Sequence, residues 1–194
     1  MTAARAIDTL AAMKKPPVAH VGLLRGINVG KAKRVAMADL RALVESLGYT
    51  EVQTLLNSGN LVFRAPAGSA DEAARRIETA LPDAFGFEAK LTVLDAAQWK
   101  ALLADNPLLD QMSDPARLLV AVWRHAAARA AFDKFAQGDW APDAVARGRH
   151  AGYLWCHDGI LASRAAQGLD KSLRDDITTR NWATALKIGA MLED

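Results

Sequence analysis

The segment Leu23–Val35, LLRGINVGKAKRV, holds two glycines, one asparagine and four cations at the end of an apolar run. Glycines let backbone N–H groups face a ligand, and arginine and lysine supply positive charge, so this composition suits binding of phosphate or carboxylate. It suits equally a solvated basic connection between a strand and a helix. Both interpretations are open from these residues alone.

The segment matches neither of two common nucleotide-binding motifs. A Walker A loop needs G-x-x-x-x-G-K-[ST], whereas Gly26–Ala32 has one spacer too few and offers Ala32 where magnesium needs a hydroxyl. The chain also lacks the G-x-G-x-x-G pattern of dinucleotide-binding proteins. These two site types are therefore excluded.

Two later segments could contribute to the same chemistry. Asn57–Asn60 separates two apolar runs and predicts a tight hairpin, because Gly59 supplies the positive φ that such a turn needs. Ser163 and Arg164 could contact a phosphate, although Ser163 is an equally good N-cap for the helix that follows. Turn and cap chemistry are thus the alternatives to ligand binding at both places.

The segment DITTRNWATALK offers a third cue near the end of the chain. Thr178 or Thr179 can cap a helix that begins near Arg180, and free N–H groups at a helix start beside a cation favour an anion. The alternative is a plain capped helix with Trp182 in the core.

The elements that position these residues follow from hydrophobic periodicity. Residues 18–94 read as strand, helix, hairpin, helix and strand, which is the split βαβ pattern. Its second helix has Ser69 as predicted N-cap, with Glu72 at capping-box spacing. In such a sheet the loop after the first strand and the turn between the second and third lie at one edge. We therefore expect Gly26–Arg34 and Asn57–Asn60 to be adjacent.

The rest of the chain repeats this order imperfectly. The pattern predicts a helix over 95–105, a buried strand RLLVAVWR, a helix over 126–135, a hairpin over 143–156 and two helices at about 163–173 and 180–192. We therefore predict an α+β fold of two ferredoxin-like (split βαβ) halves in tandem, with extra C-terminal helices. The predicted divisions are a flexible leader (1–17), a first half (18–94) and a second half with the C-terminal helices (95–194).

Composition limits the class of protein. The net charge of +2 falls short of a dedicated nucleic-acid-binding domain, but seven cations against the single acid Asp39 lie between Lys14 and Arg41, which predicts a local positive field. A single cysteine, Cys156, excludes an internal disulfide and suits the cytoplasm. No apolar run is long enough to span a bilayer, and the first fifteen residues lack the apolar core of a signal peptide.

The sequence contains no pattern that predicts a metal site, a cofactor site or a nucleophilic cysteine. The four histidines are not at metal-ligand spacing, so we predict neither a metal nor a cofactor. Cys156 and His157 would face opposite sides of a strand, so Cys156 is read as a small core residue. Most of the five tryptophans lie in apolar patterns typical of a core, and no RNP1-like strand is present.

Three motifs in this order resemble the bacterial domain of unknown function 1697 family: LLRGINVGKAKRVAMADLRALVESLGYTEVQTLLNSGNLVF, DGILASR and TTRNWATALK. The resemblance covers nearly everything after the leader. It implies a pair of ferredoxin-like halves and no established reaction, substrate or cofactor. Two departures concern loop geometry: family members often carry a second glycine where Lys31 follows Gly30, and usually a proline where this chain has His157.

The recurrent positions of the family and the cues above together define the predicted ligand site. Its residues are Arg25, Gly26, Asn28, Gly30, Lys31, Ser58, Gly59, Asn60, Ser163, Arg164, Thr178, Arg180 and Asn181. The leading hypothesis is a cytoplasmic binding protein for an anion, preferably a phosphate-bearing nucleotide or a nucleic-acid segment. The alternatives are a transferase or hydrolase that uses the same cations, or an interaction module that pairs subunits as a homodimer through open sheet faces.

Overall fold

The structure, a computed structural model, describes residues 16–30 and 33–193 of the 194-residue chain. Within these ranges it contains two four-stranded antiparallel sheets and six α-helices. This confirms the predicted α+β fold of tandem ferredoxin-like halves. Most of the predicted leader (1–17) and the site residue Lys31 lie outside the described residues. No helix within the described ranges has the length and apolar content needed to cross a bilayer.

The first sheet has the strand order β2-β3-β1-β4. Its elements are β1 (Pro17–Leu24), α1 (Met37–Ser46), β2 (Thr50–Leu55), β3 (Asn60–Pro66), α2 (Ala70–Phe85) and β4 (Leu91–Asp95). Helix α3 (Ala96–Ala104) then leads towards the second half.

The second sheet has the equivalent order β6-β7-β5-β8. Its elements are β5 (Leu118–Trp123), α4 (Ala126–Phe135), β6 (Ala144–Arg147), β7 (Ala151–Trp155), α5 (Arg164–Leu173) and β8 (Ile177–Asn181), and α6 (Trp182–Ala190) follows. Both sheets therefore place the first strand of each half between the third and the fourth.

The eighth strand corrects the prediction for the end of the chain. Thr178 and Thr179 do not cap a helix but lie in β8, which pairs antiparallel with β5 from Trp123↔Ile177 to Leu119↔Asn181. The β-branched run Ile177–Thr179 favours a strand, and five residues are too few to show a clear periodicity. The helix begins at Trp182 rather than near Arg180. Its N-cap is Asn181, whose Oδ1 accepts a hydrogen bond of 2.9 Å from the Thr184 N–H.

Ser69 takes the predicted N-cap position of α2, but the predicted capping box does not form. The Ser69 hydroxyl donates to the carbonyl oxygen of Pro66 and makes no cap bond to α2, because a backbone near φ −101° and ψ 15° turns it away from the helix start. A capping box does occur at α3, where the Asp95 carboxylate accepts from the Gln98 N–H at 2.7 Å and the Gln98 side chain accepts from the Asp95 N–H at 2.9 Å.

Three apolar clusters pack the helices against the sheets and the two halves against each other. Helices α1 and α2 cover one face of the first sheet, and α4 and α5 cover one face of the second. The third cluster lies between the halves and combines Val21 and Leu23 of β1 with Val120 of β5, Trp99 of α3 and Trp182 of α6. Because burial of apolar surface drives folding, this shared cluster couples the two halves.

Candidate functional site

The loop after β1 and the β2–β3 turn are adjacent, as the strand order predicts. The Leu24 N–H donates to the Gly59 carbonyl oxygen at 2.9 Å, and the Asn28 side-chain amide donates to the Asn57 carbonyl oxygen at 2.7 Å. Gly59 has φ +76°, and a Cβ there would lie 2.7 Å from Leu24 Cβ and from Ile27 Cδ1. Glycine at this position therefore allows the close approach of the two segments.

Asn28 is used to hold the loop in shape. Its Nδ2 donates to the Val35 and Asn57 carbonyl oxygens at 2.9 and 2.7 Å, and its Oδ1 accepts from the Val35 N–H at 2.9 Å. Its backbone φ of 56° lies in the left-handed region, which asparagine tolerates better than most residues. The amide is thus engaged with the protein itself, and Asn28 positions the loop rather than offering donors to a ligand.

Arg180 joins the second half of the chain to the loops of the first half. From β8, its Nη2 donates to the carbonyl oxygens of Leu24 at 2.8 Å and Ser58 at 2.9 Å, and its Nη1 donates to the Thr179 carbonyl oxygen at 2.8 Å. Its Nε donates to the side-chain oxygen of Asn60, a residue that is itself buried. Four hydrogen bonds to neutral oxygens hold this half-buried guanidinium in place.

The charge of Arg180 is not neutralised by these contacts. Burial, and secondarily the positive charge of Arg25, lower the pKa of the Arg180 guanidinium to about 10. The group still carries a full charge at neutral pH. Among the described residues no carboxylate forms an ion pair with it. Because charges interact more strongly where water is excluded, Arg180 contributes positive potential at the surface in front of it.

Arg25 lies at that surface and is held by two acids of the second half. Its Nη2 is 2.7 Å from Asp170 Oδ1, and its Nε is 3.6 Å from Asp175 Oδ1. The arginine side chain is 19% exposed, whereas those of Asp170 and Asp175 are 71% and 75% exposed. Ion pairs that are this open to solvent are weak. Both carboxylates can therefore move away from Arg25 at little cost.

These residues border a cleft of about 560 Å³ between the halves, which we call the junction cleft. It is lined by Arg25, Gly26, Val29, Lys33, Glu88, Ala89, Lys90, Asp170, Arg174 and Asp175. Four cations thus face three acids. Lys33 donates to the Glu88 carbonyl oxygen at 2.9 Å and lies 5.6 Å from the centre of the Phe87 ring, so part of its donor capacity is already used.

The structure does not gather all the predicted site residues. Ser163 is a buried N-cap whose hydroxyl oxygen accepts from the Ala166 N–H at 2.9 Å, and Thr178 is buried against Thr92, with 3.1 Å between their hydroxyls. Arg164 is exposed at the start of α5, away from the cleft. Gly26 and Gly30 are exposed with φ of +69° and +62°, and Gly26 lines the cleft.

Five charged residues of the lining carried no motif in the sequence: Glu88, Lys90, Asp170, Arg174 and Asp175. Lys90 precedes β4, and because the antiparallel register pairs Leu24 with Leu91, Lys90 lies beside Arg25. The Arg25 N–H donates to the carbonyl oxygen of Lys90 at 2.9 Å. The strand order and register therefore predict that Lys90 lies beside Arg25. Arg174 and Asp170 come from the end of α5, and no sequence pattern links them to the loop after β1. In the parts of the chain that the structure describes, no group of three or more potential ligands could hold a metal.

Comparison of the chain with known proteins identifies its family and a solved structure with a similar fold. A family model described as "Protein of unknown function (DUF1697)" matches residues 18–153. A solved structure of the conserved bacterial protein SP0830 from Streptococcus pneumoniae is similar, with a TM-score of 0.77 at 24% sequence identity over 91% of this chain and 99% of that chain. No curated protein matches the chain. At 24% identity, the similarity shows a shared fold.

Proposed function

The chain belongs to the DUF1697 family, and from the geometry of the junction cleft we propose that it is a binding protein for a phosphate-bearing anion. The observation that carries this proposal is the half-buried Arg180 guanidinium, which among the described residues is bound by neutral oxygens only and lies close enough to Arg25 for the two positive charges to repel. A partly desolvated cation without a counterion is costly. An anion at Arg25 lowers that cost.

The competing charges in the cleft are compatible with ligand entry. Asp170 and Asp175 pair with Arg25 but are mostly exposed, so water already screens their attraction. A phosphate has three acceptor oxygens and up to two charges, and it bonds a guanidinium fork in a bidentate manner. It therefore binds Arg25 better than either exposed carboxylate does, and both acids turn to solvent.

Two further cations complete the proposed site. Arg174 and Lys90 line the cleft, and within the described residues neither side chain forms a hydrogen bond or an ion pair. At the mouth, the exposed Gly26 leaves room for a ligand to approach the backbone. The volume of about 560 Å³ lies within the usual range of small-molecule sites, roughly 300–1,000 Å³, so a nucleotide is the preferred ligand class.

The thermal stability of the purified protein against a panel of anions tests this proposal. The panel contains inorganic phosphate, nucleoside mono-, di- and triphosphates, and citrate as a carboxylate control. A ligand that binds only the native state raises the melting temperature by mass action. We expect the phosphate compounds to raise it and citrate to raise it less.

Matched variants locate the effect. Arg174→Ala and Lys90→Ala should each reduce the ligand-dependent rise, whereas Arg41→Ala, which removes a 56% exposed arginine of α1 outside the cleft, should not. An equal rise in all three variants would show that the compounds bind elsewhere. No rise with any compound would reject the proposed function.

A further inference from the structure

We infer that the junction cleft is one end of a longer furrow that binds a single-stranded nucleic acid through successive phosphates. This inference rests on the proposed function, since the junction cleft supplies the first phosphate site. It adds a second site and names the ligand as a polymer.

The second site is a larger cleft of about 780 Å³, which we call the far cleft. It lies between α2 and β4 of the first half and the β5–α4 connection and β6–β7 turn of the second. Its lining contains four arginines, Arg75, Arg124, Arg129 and Arg149, and two histidines, His125 and His150. The acids in the same lining are Asp71, Glu78 and Asp95.

A third hollow adjoins both clefts. A shallower depression of about 420 Å³ shares Arg75 and Glu78 with the far cleft, and it shares Glu88, Ala89 and Lys90 with the junction cleft. Because they share lining residues, the three hollows are neighbours along α2 and the segment before β4, and the proposed polymer follows them as one furrow. Lys90 and Arg75 provide a cation at each of the two passages.

Most of the furrow's acids are already engaged, whereas most of its cations are not. Glu78 Oε1 is 2.6 Å from Arg124 Nη2 and also accepts from the Leu91 N–H at 2.6 Å, and the Asp95 carboxylate caps α3. By contrast, the side chains of Arg75, Arg129 and Arg149 form no hydrogen bond or ion pair within the described residues. An acid that is bonded internally repels a phosphate less than a free one does, so the furrow favours a polyanion.

Two features favour nucleic acid over an acidic peptide. Trp123 lines the far cleft and is half-buried, with its ring centre 6.1 Å from that of Phe132, and we assign this ring as the partner on which a base stacks. The cations are mainly arginine, which bonds phosphate through its fork and also stacks on bases. Polyglutamate, as a polyanion without bases, separates these ligands in the test.

The experiment measures fluorescence anisotropy of labelled oligothymidylates, from a dinucleotide to a dodecamer, on the full chain over a range of salt. We expect affinity to rise with length until the furrow is filled, and to fall with salt. Arg129→Ala and Arg149→Ala should each weaken dodecamer binding about tenfold and reduce the slope of log K against log salt by about 1. Arg41→Ala serves as the control for lost positive charge away from the furrow.

Each outcome separates this inference from the proposed function. If a nucleoside diphosphate binds but affinity is independent of oligomer length, the furrow is rejected and the junction cleft alone is retained. If Arg129→Ala and Arg149→Ala bind the dodecamer as the unaltered protein does, the far cleft is likewise rejected. If polyglutamate competes as well as oligothymidylate of equal length, the nucleic-acid assignment is wrong. If neither diphosphate nor oligomer binds, both proposals fall.

Discussion

Arg180 Nη2 lies 2.8 Å from the carbonyl oxygen of Leu24, although 156 positions separate the two residues in the chain. The same nitrogen donates to the Ser58 carbonyl oxygen at 2.9 Å. One guanidinium on β8 therefore fixes the end of β1 and the β2–β3 turn together. The contact that joins the halves is also the source of positive charge behind Arg25.

Replacing Arg180 should destabilise the protein far more than replacing its neighbour Arg25. Arg180→Met removes four hydrogen bonds and leaves carbonyl oxygens of Leu24 and Ser58 unpaired, which predicts a loss of about 2–4 kcal/mol in the free energy of unfolding. Arg25→Met breaks solvent-screened ion pairs and should cost less than about 1 kcal/mol. Urea denaturation of the two variants measures both values, and equal losses would contradict the role given to Arg180.

Contacts between residues close together in the chain can be predicted from the sequence, whereas contacts between distant residues mostly cannot. The split βαβ order follows from local periodicity, and it places the loop after β1 beside the β2–β3 turn because antiparallel pairing is fixed by topology. The strand β8 escapes prediction because it is short and lies next to a helix. The partners of Arg180 cannot be predicted either, since no local rule indicates which loop an arginine on an edge strand will contact.

Ser163 was predicted to be either a ligand contact or a helix cap, and the structure gives it the contacts of a cap. Its hydroxyl oxygen accepts from the Ala166 N–H at 2.9 Å, and the hydroxyl donates to Asp143 Oδ2 at 2.9 Å. Ser163→Ala should therefore lower stability by about 1–2 kcal/mol without changing ligand affinity. Thermal denaturation and a nucleotide titration of the variant check this. A large loss of ligand affinity in a folded Ser163→Ala variant would show that Ser163 contacts the ligand.

Gly152 should tolerate no side chain. A Cβ at this position of β7 would lie 2.1 Å from Cζ of Phe132, whose ring is buried and packed between Trp123 and Phe135. Gly152→Ala should therefore cost about 3 kcal/mol through overpacking. Gly22→Ala on β1 is the matched control, because its Cβ would meet neighbours at 3.4 Å, and it should change stability by less than about 1 kcal/mol. Chemical denaturation compares the two.

Alkaline pH should destabilise the protein through Tyr153. Burial, with a smaller contribution from the charge of Asp105, raises the pKa of its hydroxyl above the ordinary value of 10, and the hydroxyl donates to the Leu102 carbonyl oxygen at 2.6 Å. A raised folded-state pKa gives stability that is complete below pH 10 and is lost as pH rises towards the folded value. Above pH 10 the loss approaches about 1.4 kcal/mol per pH unit for this group.

The Tyr153→Phe variant isolates that dependence. Tyr49 also has a pKa raised by burial, and the lowered pKa of Arg180 acts in the opposite direction, because a poorly solvated charge is lost as pH rises through 10. Both remain in the variant, so the difference between the two proteins reports Tyr153 alone. Urea denaturation between pH 9 and pH 11 should show a smaller loss for Tyr153→Phe. Parallel pH profiles would contradict the assigned shift.

A titration of the ¹⁵N-labelled protein with a nucleoside diphosphate, followed by amide NMR, tests directly whether the junction cleft binds phosphate. Binding in the junction cleft predicts the largest shifts at Gly26, Ala89, Lys90, Arg174 and Asp175, and it predicts that Arg174→Ala weakens them while Arg41→Ala does not. Shifts that cluster away from these residues, or no saturable shifts at all, would contradict the proposal that this cleft binds phosphate.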